Sequence, residues 1–165
     1  MGDKARATKF AEFLHGTFPP QHYKRVADVA GGKGELSLEL LKLGYQPTVI
    51  DPRKTGLSKA QRRQLRRKLS IAELPRIQTC FCHTQAEVYD LIVGMHPDGA
   101  SYEIATAAAK RTVVIVPCCN IWCGPDKQNT AVASVTNLWI KKGIPFNQDY
   151  LAISGPNTVL VAGTR

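Results

Sequence analysis

The chain has 165 residues, 44% of them hydrophobic and 21% charged, and a formal net charge of +9. That size and composition suit one ordinary globular domain over residues 1–165 with a proper core, and they exclude a low-complexity or repeat array. No run is long or apolar enough to span a bilayer, so no membrane partner is expected, and the charge excess points to an anionic one. The start, Met1-Gly2-Asp3-Lys4-Ala5-Arg6, lacks the apolar segment of a secretory signal, and Arg6 stands where a myristoylation signal wants Ser or Thr. Five cysteines without an export signal read as reduced thiols in a cytoplasmic setting.

In chain order, Thr8–Leu14 predicts a short leading helix that ends near Gly16 and Pro19-Pro20. Residues 25–30 form a first strand. A helix over 34–43 follows and ends at Gly44, a natural C-terminal residue for it. A second strand covers 47–51. Ser58 is placed to cap a helix over 58–70, and Arg76–Phe81 reads as a third strand. Tyr89–Met95, nearly all apolar, is a fourth, as a strand buried on both faces should be. An alanine-rich helix over Ser101–Lys110, a fifth strand over Thr112–Pro117 and a helix over Ala131–Lys141 complete the alternation. Tyr150–Ser154 and Thr158–Gly163 flank Gly155-Pro156-Asn157 with no room for a helix, which predicts a hairpin. The expected fold is α/β, Rossmann-like: a doubly wound, mostly parallel sheet that ends in an antiparallel hairpin.

The first strand runs Val26-Ala27-Asp28-Val29 into Ala30-Gly31-Gly32-Lys33-Gly34, and the second ends in Asp51. Glycines let backbone approach a ligand without a Cβ clash, the helix that starts there offers free N–H groups, and an acid after the second strand is placed to accept hydrogen bonds from a ribose. The third glycine of the dinucleotide fingerprint is absent. Arg53 would suit a 2′-phosphate, so an NADP-dependent oxidoreductase remains an alternative.

The spacing Asp28, Gly32, Gly34 resembles the first motif of class I S-adenosylmethionine-dependent methyltransferases, with Ala30 where that family usually has its first glycine. The closing hairpin is similar to the same family's version of the fold. The resemblance implies S-adenosyl-L-methionine as cofactor, held by Asp28, Ala30, Gly31, Gly32, Gly34, Asp51 and Pro52, with Gly94 and Met95 at the exit of the fourth strand. The loops Gly94-Met95-His96-Pro97-Asp98-Gly99 and Pro117-Cys118-Cys119 further resemble the tRNA 2′-O-methyltransferase branch, although Asp98 stands where that branch has cysteine and its zinc-finger segments are absent. His96 would take a proton from the acceptor, and Asp98 would orient His96 or bind the acceptor.

Between Arg53 and Lys68 there are eight basic residues and no acid. On a helix Lys59, Arg62, Arg63 and Arg66 share one face, with Leu57, Leu65, Leu69 and Ala72 opposite. A solvated face normally mixes signs, so an unmixed stripe that includes Arg67 predicts a polyanion, RNA in particular (tRNA or rRNA). The short chain points to a homodimer or a partner subunit to complete recognition. Alternatives are a methyltransferase of small molecules or proteins, and a non-catalytic RNA-binding module. No metal site is expected. Cys118, Cys119 and Cys123 lack zinc spacing. Cys80, Cys82 and His83 follow the third strand, and at about 4.8 Å per strand they lie roughly 19 Å from the fifth. Trp122 reads as either a base-stacking surface or core.

Overall fold

The computed structural model describes residues 5–118 and 121–163. The chain's Met-Gly start, Cys119 and Asn120 lie outside the described residues. Helices α1 (Arg6–Thr17), α2 (Glu35–Lys42), α3 (Lys59–Leu69), α4 (Ser101–Ala107) and α5 (Ala131–Lys141) alternate with strands β1 (Arg25–Val29), β2 (Gln46–Ile50), β3 (Arg76–Ile77), β4 (Leu91–Met95), β5 (Thr112–Val116), β6 (Phe146–Tyr150) and β7 (Thr158–Ala162). A 3-10 helix over His83–Val88 stands between β3 and β4.

The seven strands form one sheet in the order β3-β2-β1-β4-β5-β7-β6. The first five are parallel, and β7 pairs antiparallel with both β5 and β6. The central strands are buried along nearly their whole length, as continuous apolar runs between two helical layers must be. Phe10, Leu14, Leu36 and Leu40 cover one face of the sheet, and Ile104, Val135 and Trp139 cover the other. Trp139 is fully buried and meets its one polar need by donating Nε1–H to the Ala105 carbonyl at 2.8 Å. The chain order reverses between β1 and β4, and in open α/β sheets that switch point is where ligands bind.

The expected capping at Ser58 is present. Its hydroxyl accepts from the Gln61 N–H, and the Gln61 side chain returns a bond to the Ser58 N–H. α3 is anchored by buried Leu65 against Leu38 and Leu57, with Leu69, Ile71 and Leu74 half-buried around them; Ala72 is exposed instead of lying on the apolar side. Burying one leucine contributes about 2 kcal/mol, enough to seat an otherwise polar helix.

Several boundaries differ from the sequence reading: α1 extends beyond Thr8–Leu14 at both ends and β4 begins two residues later, at Leu91. β3 keeps only two ladder residues, and 78–81 is loop. α4 ends at Ala107 and closes in tight turns up to Arg111. The sixth strand is Phe146–Tyr150, four residues earlier than expected, while 151–157 forms the connection. Among the described residues no helix is long and apolar enough to cross a membrane.

Candidate active site

The groove lies at the carboxyl ends of β1, β2 and β4 and has two halves. The more polar half, ≈ 520 Å³, is walled by Asp28, the Gly31–Gly32 turn, Met95, His96 and Cys118. The apolar half, ≈ 430 Å³, is walled by Ile50, Asp51, Pro52, Phe81, Pro97 and Gly99. Ala30, Arg53 and Asp98 line both halves. A wider depression of ≈ 940 Å³ opens at the far end of the sheet, between α1, the start of β5 and β6. Its walls hold no convergent set of ionisable groups, so the chemistry belongs to the groove.

Asp28 sits in β1, 1% exposed, and accepts from Ser37 Oγ at 2.6 Å. Burial pushes its carboxyl up to about 6, against the pull of the Ser37 bonds and the Arg76 charge. A side chain at Gly31 would place its Cβ 2.6 Å from the Asp28 carboxyl carbon, so only glycine lets the turn lie on the acid. Ala30 occupies the left-handed region at φ 53°, the conformation that glycine would adopt freely. Gly32 is held at three points. Its N–H donates to Asp51 Oδ2 at 2.8 Å, and its carbonyl accepts from Thr55 Oγ1 at 2.8 Å and from Arg76 Nη2 at 2.6 Å.

Asp51 follows β2 with no side-chain exposure. Besides the Gly32 bond it accepts from the Arg53 N–H at 2.8 Å, Nε at 3.0 Å and Nη2 at 2.9 Å. Burial alone would push this carboxyl up, but the Arg53 fork together with the backbone bonds outweighs it and holds it at about 2. The other end of the guanidinium reaches Asp98 at 3.7 Å. Arg53 thus bridges the groove from the β2 side to the β4 side.

His96 leaves β4 at φ 55° with its N–H on the Val116 carbonyl at 2.9 Å. The Pro156 carbonyl in the β6–β7 connection favours the charged form of the ring, and Nε2 is buried with no hydrogen-bond partner among the described residues. Burial and the Arg6 charge hold the ring below the usual imidazole range, so it is neutral at pH 7. His96 lines the polar half of the groove, with Nε2 turned into the protein and not onto the wall.

Asp28, Ala30, Gly31, Gly32, Asp51, Pro52, Met95, His96 and Asp98 therefore line one groove. Gly34 and Gly94 do not line it. Gly34 begins α2 at φ 87°, and a Cβ there would lie 3.2 Å from Val49 Cγ2. A Cβ on Gly94 would press 2.5 Å from Ile104 Cδ1. Both positions leave no room for a side chain. Trp122 is core: it stacks edge-to-face on Tyr102 at 5.3 Å and donates Nε1–H to the Pro125 carbonyl. Cys118 is half-buried at the groove and Cys123 is exposed. Arg6, Thr55, Arg76 and Pro156 were missed, since only the tertiary fold brings them to the site. The sequence signal for Arg53 was its place two residues after Asp51.

Lys59, Arg62, Arg63, Arg66 and Arg67 are all exposed and together line a shallow depression on α3. None of them has an acidic partner among the described residues.

No protein-family model and no curated protein matches the chain. Solved structures do. The methyltransferase domain of bacterial CtHen1-CN superposes with a TM-score of 0.63 at 14% identity, covering 95% of this chain and 98% of that one. The chain has the class I methyltransferase fold. Magnesium protoporphyrin IX methyltransferase (ChlM) from Synechocystis PCC 6803, solved with bound SAM, gives 0.62 at 14% identity, over 96% of this chain and 78% of that one. An O-methyltransferase family protein from Burkholderia thailandensis gives 0.61 at 12% identity and 96% coverage of this chain. The chain spans only about half of that protein, 56%, and 55% of TnmH.

Proposed function

We propose that the protein is an S-adenosylmethionine-dependent methyltransferase that modifies RNA. The observation that carries the cofactor assignment is the placement of Asp51: a fully buried, ionised carboxylate on the wall of an apolar slot, one hydrogen bond from a glycine turn. Such a slot accepts an adenine ring between Ile50, Phe81 and Pro97, with the ribose hydroxyls donating to the carboxylate. The glycine turn rests on Asp28, so a dinucleotide's pyrophosphate would meet a buried carboxyl there; a cofactor that is cationic at its methionine end suits the site better. This disfavours the NADP alternative.

Bound in the groove, the sulfonium cofactor would supply an electrophilic methyl group. The protein's own part is alignment and proton handling. Met95 and the Gly31–Gly32 turn wall the methionine end. His96 lines the polar half, and a turn of its neutral ring would bring Nε2 to take the proton from an acceptor hydroxyl as that oxygen attacks. Asp98, through Arg53, ties the acceptor loop to the cofactor side.

The RNA assignment rests on the α3 cations, which no neighbouring acid neutralises. The loop that leads from Asp51 to α3 is pinned to the glycine turn by Thr55, so phosphates held on α3 would lie close to the groove. The test is incubation of total RNA with protein and labelled S-adenosylmethionine, followed by mass-spectrometric mapping of the modified nucleoside. Arg62→Ala/Arg66→Ala should weaken RNA binding and reduce its salt slope by about 1.4–1.8, at 0.7–0.9 per lost phosphate contact. Label transfer to small molecules or proteins but not to RNA would select the alternative substrates. Salt-sensitive RNA binding without cofactor binding would select a non-catalytic module.

A further inference from the structure

A second cluster of chemistry-bearing side chains stands beside the groove and takes no part in the proposed transfer. Cys82 and His83 begin the 3-10 helix after β3, and Glu103 faces them from α4. Cys82 Sγ, one ring nitrogen of His83 and a Glu103 carboxylate oxygen all lie within 4.8 Å of one another. Three donors of unlike chemistry converge at one point from two separate elements. We propose that Cys82, His83 and Glu103 form a zinc site that clamps the loop after β3 to helix α4.

The donor set is right for that ion. Zinc takes thiolate, imidazole and carboxylate at about 2.0–2.3 Å, and a tetrahedron with such bonds has edges of about 3.4–3.7 Å. The widest separation, at most 4.8 Å, needs to close by only about 1 Å to reach it, while the His83–Glu103 contact opens by under 1 Å. One thiolate, one neutral imidazole and one carboxylate bring two negative charges, which a divalent cation cancels. In its absence the His83 ring and Glu103 hold each other, Nδ1 to Oε2 at 2.7 Å; when the ion enters, the neutral ring carries its proton on the other nitrogen and the Cys82 thiol releases one. The supporting bonds are already in place: the His83 N–H donates to Glu103 Oε2 at 2.9 Å, and Thr84 Oγ1 donates to Cys82 Sγ at 3.2 Å. Such outer bonds aim metal ligands. The fourth position is left for water or for Cys80, two residues upstream, which lines the apolar half of the groove with Glu103.

The thiols after β3 and those after β5 lie too far apart to share one ion, but the helix after β4 brings a carboxylate to the first group. Glu103 lies between the two groups, and no cysteine from the β5 loop is required.

The test is metal binding by the full chain after stripping with chelator and dialysis, read by competition with a chromogenic zinc ligand and by the absorption of the cobalt-substituted protein. Expected are one zinc per chain, a thiolate-to-cobalt charge-transfer band, and a rise in melting temperature on adding zinc. Cys82→Ser, His83→Gln and Glu103→Gln should each weaken zinc binding by at least about 10-fold, while Cys123→Ser binds as the parent does. Circular dichroism without metal identifies any variant that fails to fold, and the two that remain carry the test. No stoichiometric binding, binding indifferent to Cys82→Ser, or equal loss in Cys123→Ser would overturn the proposal. None of these readouts depends on the methyltransferase reading.

Discussion

Asp28→Asn should make the protein more stable at neutral pH. The native Asp28 carboxyl sits at about 6, against 3.8 for an ordinary one, a difference of roughly 2 units, or about 3 kcal/mol at 1.36 kcal/mol per unit. The sign follows from the direction of the shift. A raised native value means that the folded state holds the proton more tightly than the unfolded one. The group therefore costs nothing below about pH 4, and its penalty grows as pH rises through 6, to be complete above it. Asparagine removes the charge and keeps an oxygen for Ser37 Oγ, but its amide replaces an acceptor and forfeits about 1 kcal/mol. The net expectation is a gain of about 2 kcal/mol near pH 8, shrinking to nothing or reversing near pH 4. Urea denaturation at a series of pH values reads it directly, as a midpoint difference of about 1 M at high pH for a slope of about 2 kcal/mol/M. A difference that does not vary with pH, or a wild type that is the more stable protein near pH 8, would refute the reasoning. An acid kept in a core at such a cost is expected where it serves a ligand, so the same variant should bind the cofactor less well.

Ala30→Gly should change stability by less than about 1 kcal/mol, because relief of the left-handed backbone at φ 53° offsets the added freedom of the unfolded chain. Ala30→Val, β-branched in the same conformation, should lose roughly 1–3 kcal/mol, with urea denaturation of both variants as the check. Arg53→Gln should tighten cofactor binding about 2- to 5-fold. The guanidinium occupies both oxygens of Asp51, yet it is 54% exposed, so the competing pair is worth only about 0.5–1 kcal/mol. Calorimetric titration checks this, and weaker binding would make Arg53 a direct ligand contact.

How much of this was readable from the sequence depends on the range of each interaction. The Asp28-to-Asp51 segment carries its own signals: a strand acid, a glycine turn, a leucine-striped helix and a second strand in fewer than 30 consecutive residues. β7 was legible because it is apolar and buried. β6, Phe-Asn-Gln-Asp-Tyr, was not, because it is an edge strand almost wholly exposed, and such a strand needs no hydrophobic alternation. Its register is set by pairing with β7. The 3-10 helix was missed because it replaces the long amphipathic crossover that periodicity detects. Arg76 under Gly32, Pro156 on His96 and Glu103 on His83 lie 20 or more residues from their partners, and no local pattern links them. The packing demand at Gly34 and Gly94 is hidden for the complementary reason: a glycine that admits a neighbouring side chain looks the same in sequence as one that admits a ligand.

The central claim is that the carboxylate after β2 holds the sugar of a sulfonium cofactor. Calorimetric titration of S-adenosylmethionine into the wild type and Asp51→Asn, with NADPH as the comparison ligand, tests it most directly. The account predicts one site per chain for S-adenosylmethionine, affinity reduced at least about 10-fold in Asp51→Asn, equivalent to about 1.4 kcal/mol, and no binding of NADPH. A folded wild type that takes up NADPH instead, or that binds S-adenosylmethionine equally well with and without the Asp51 carboxylate, would contradict it.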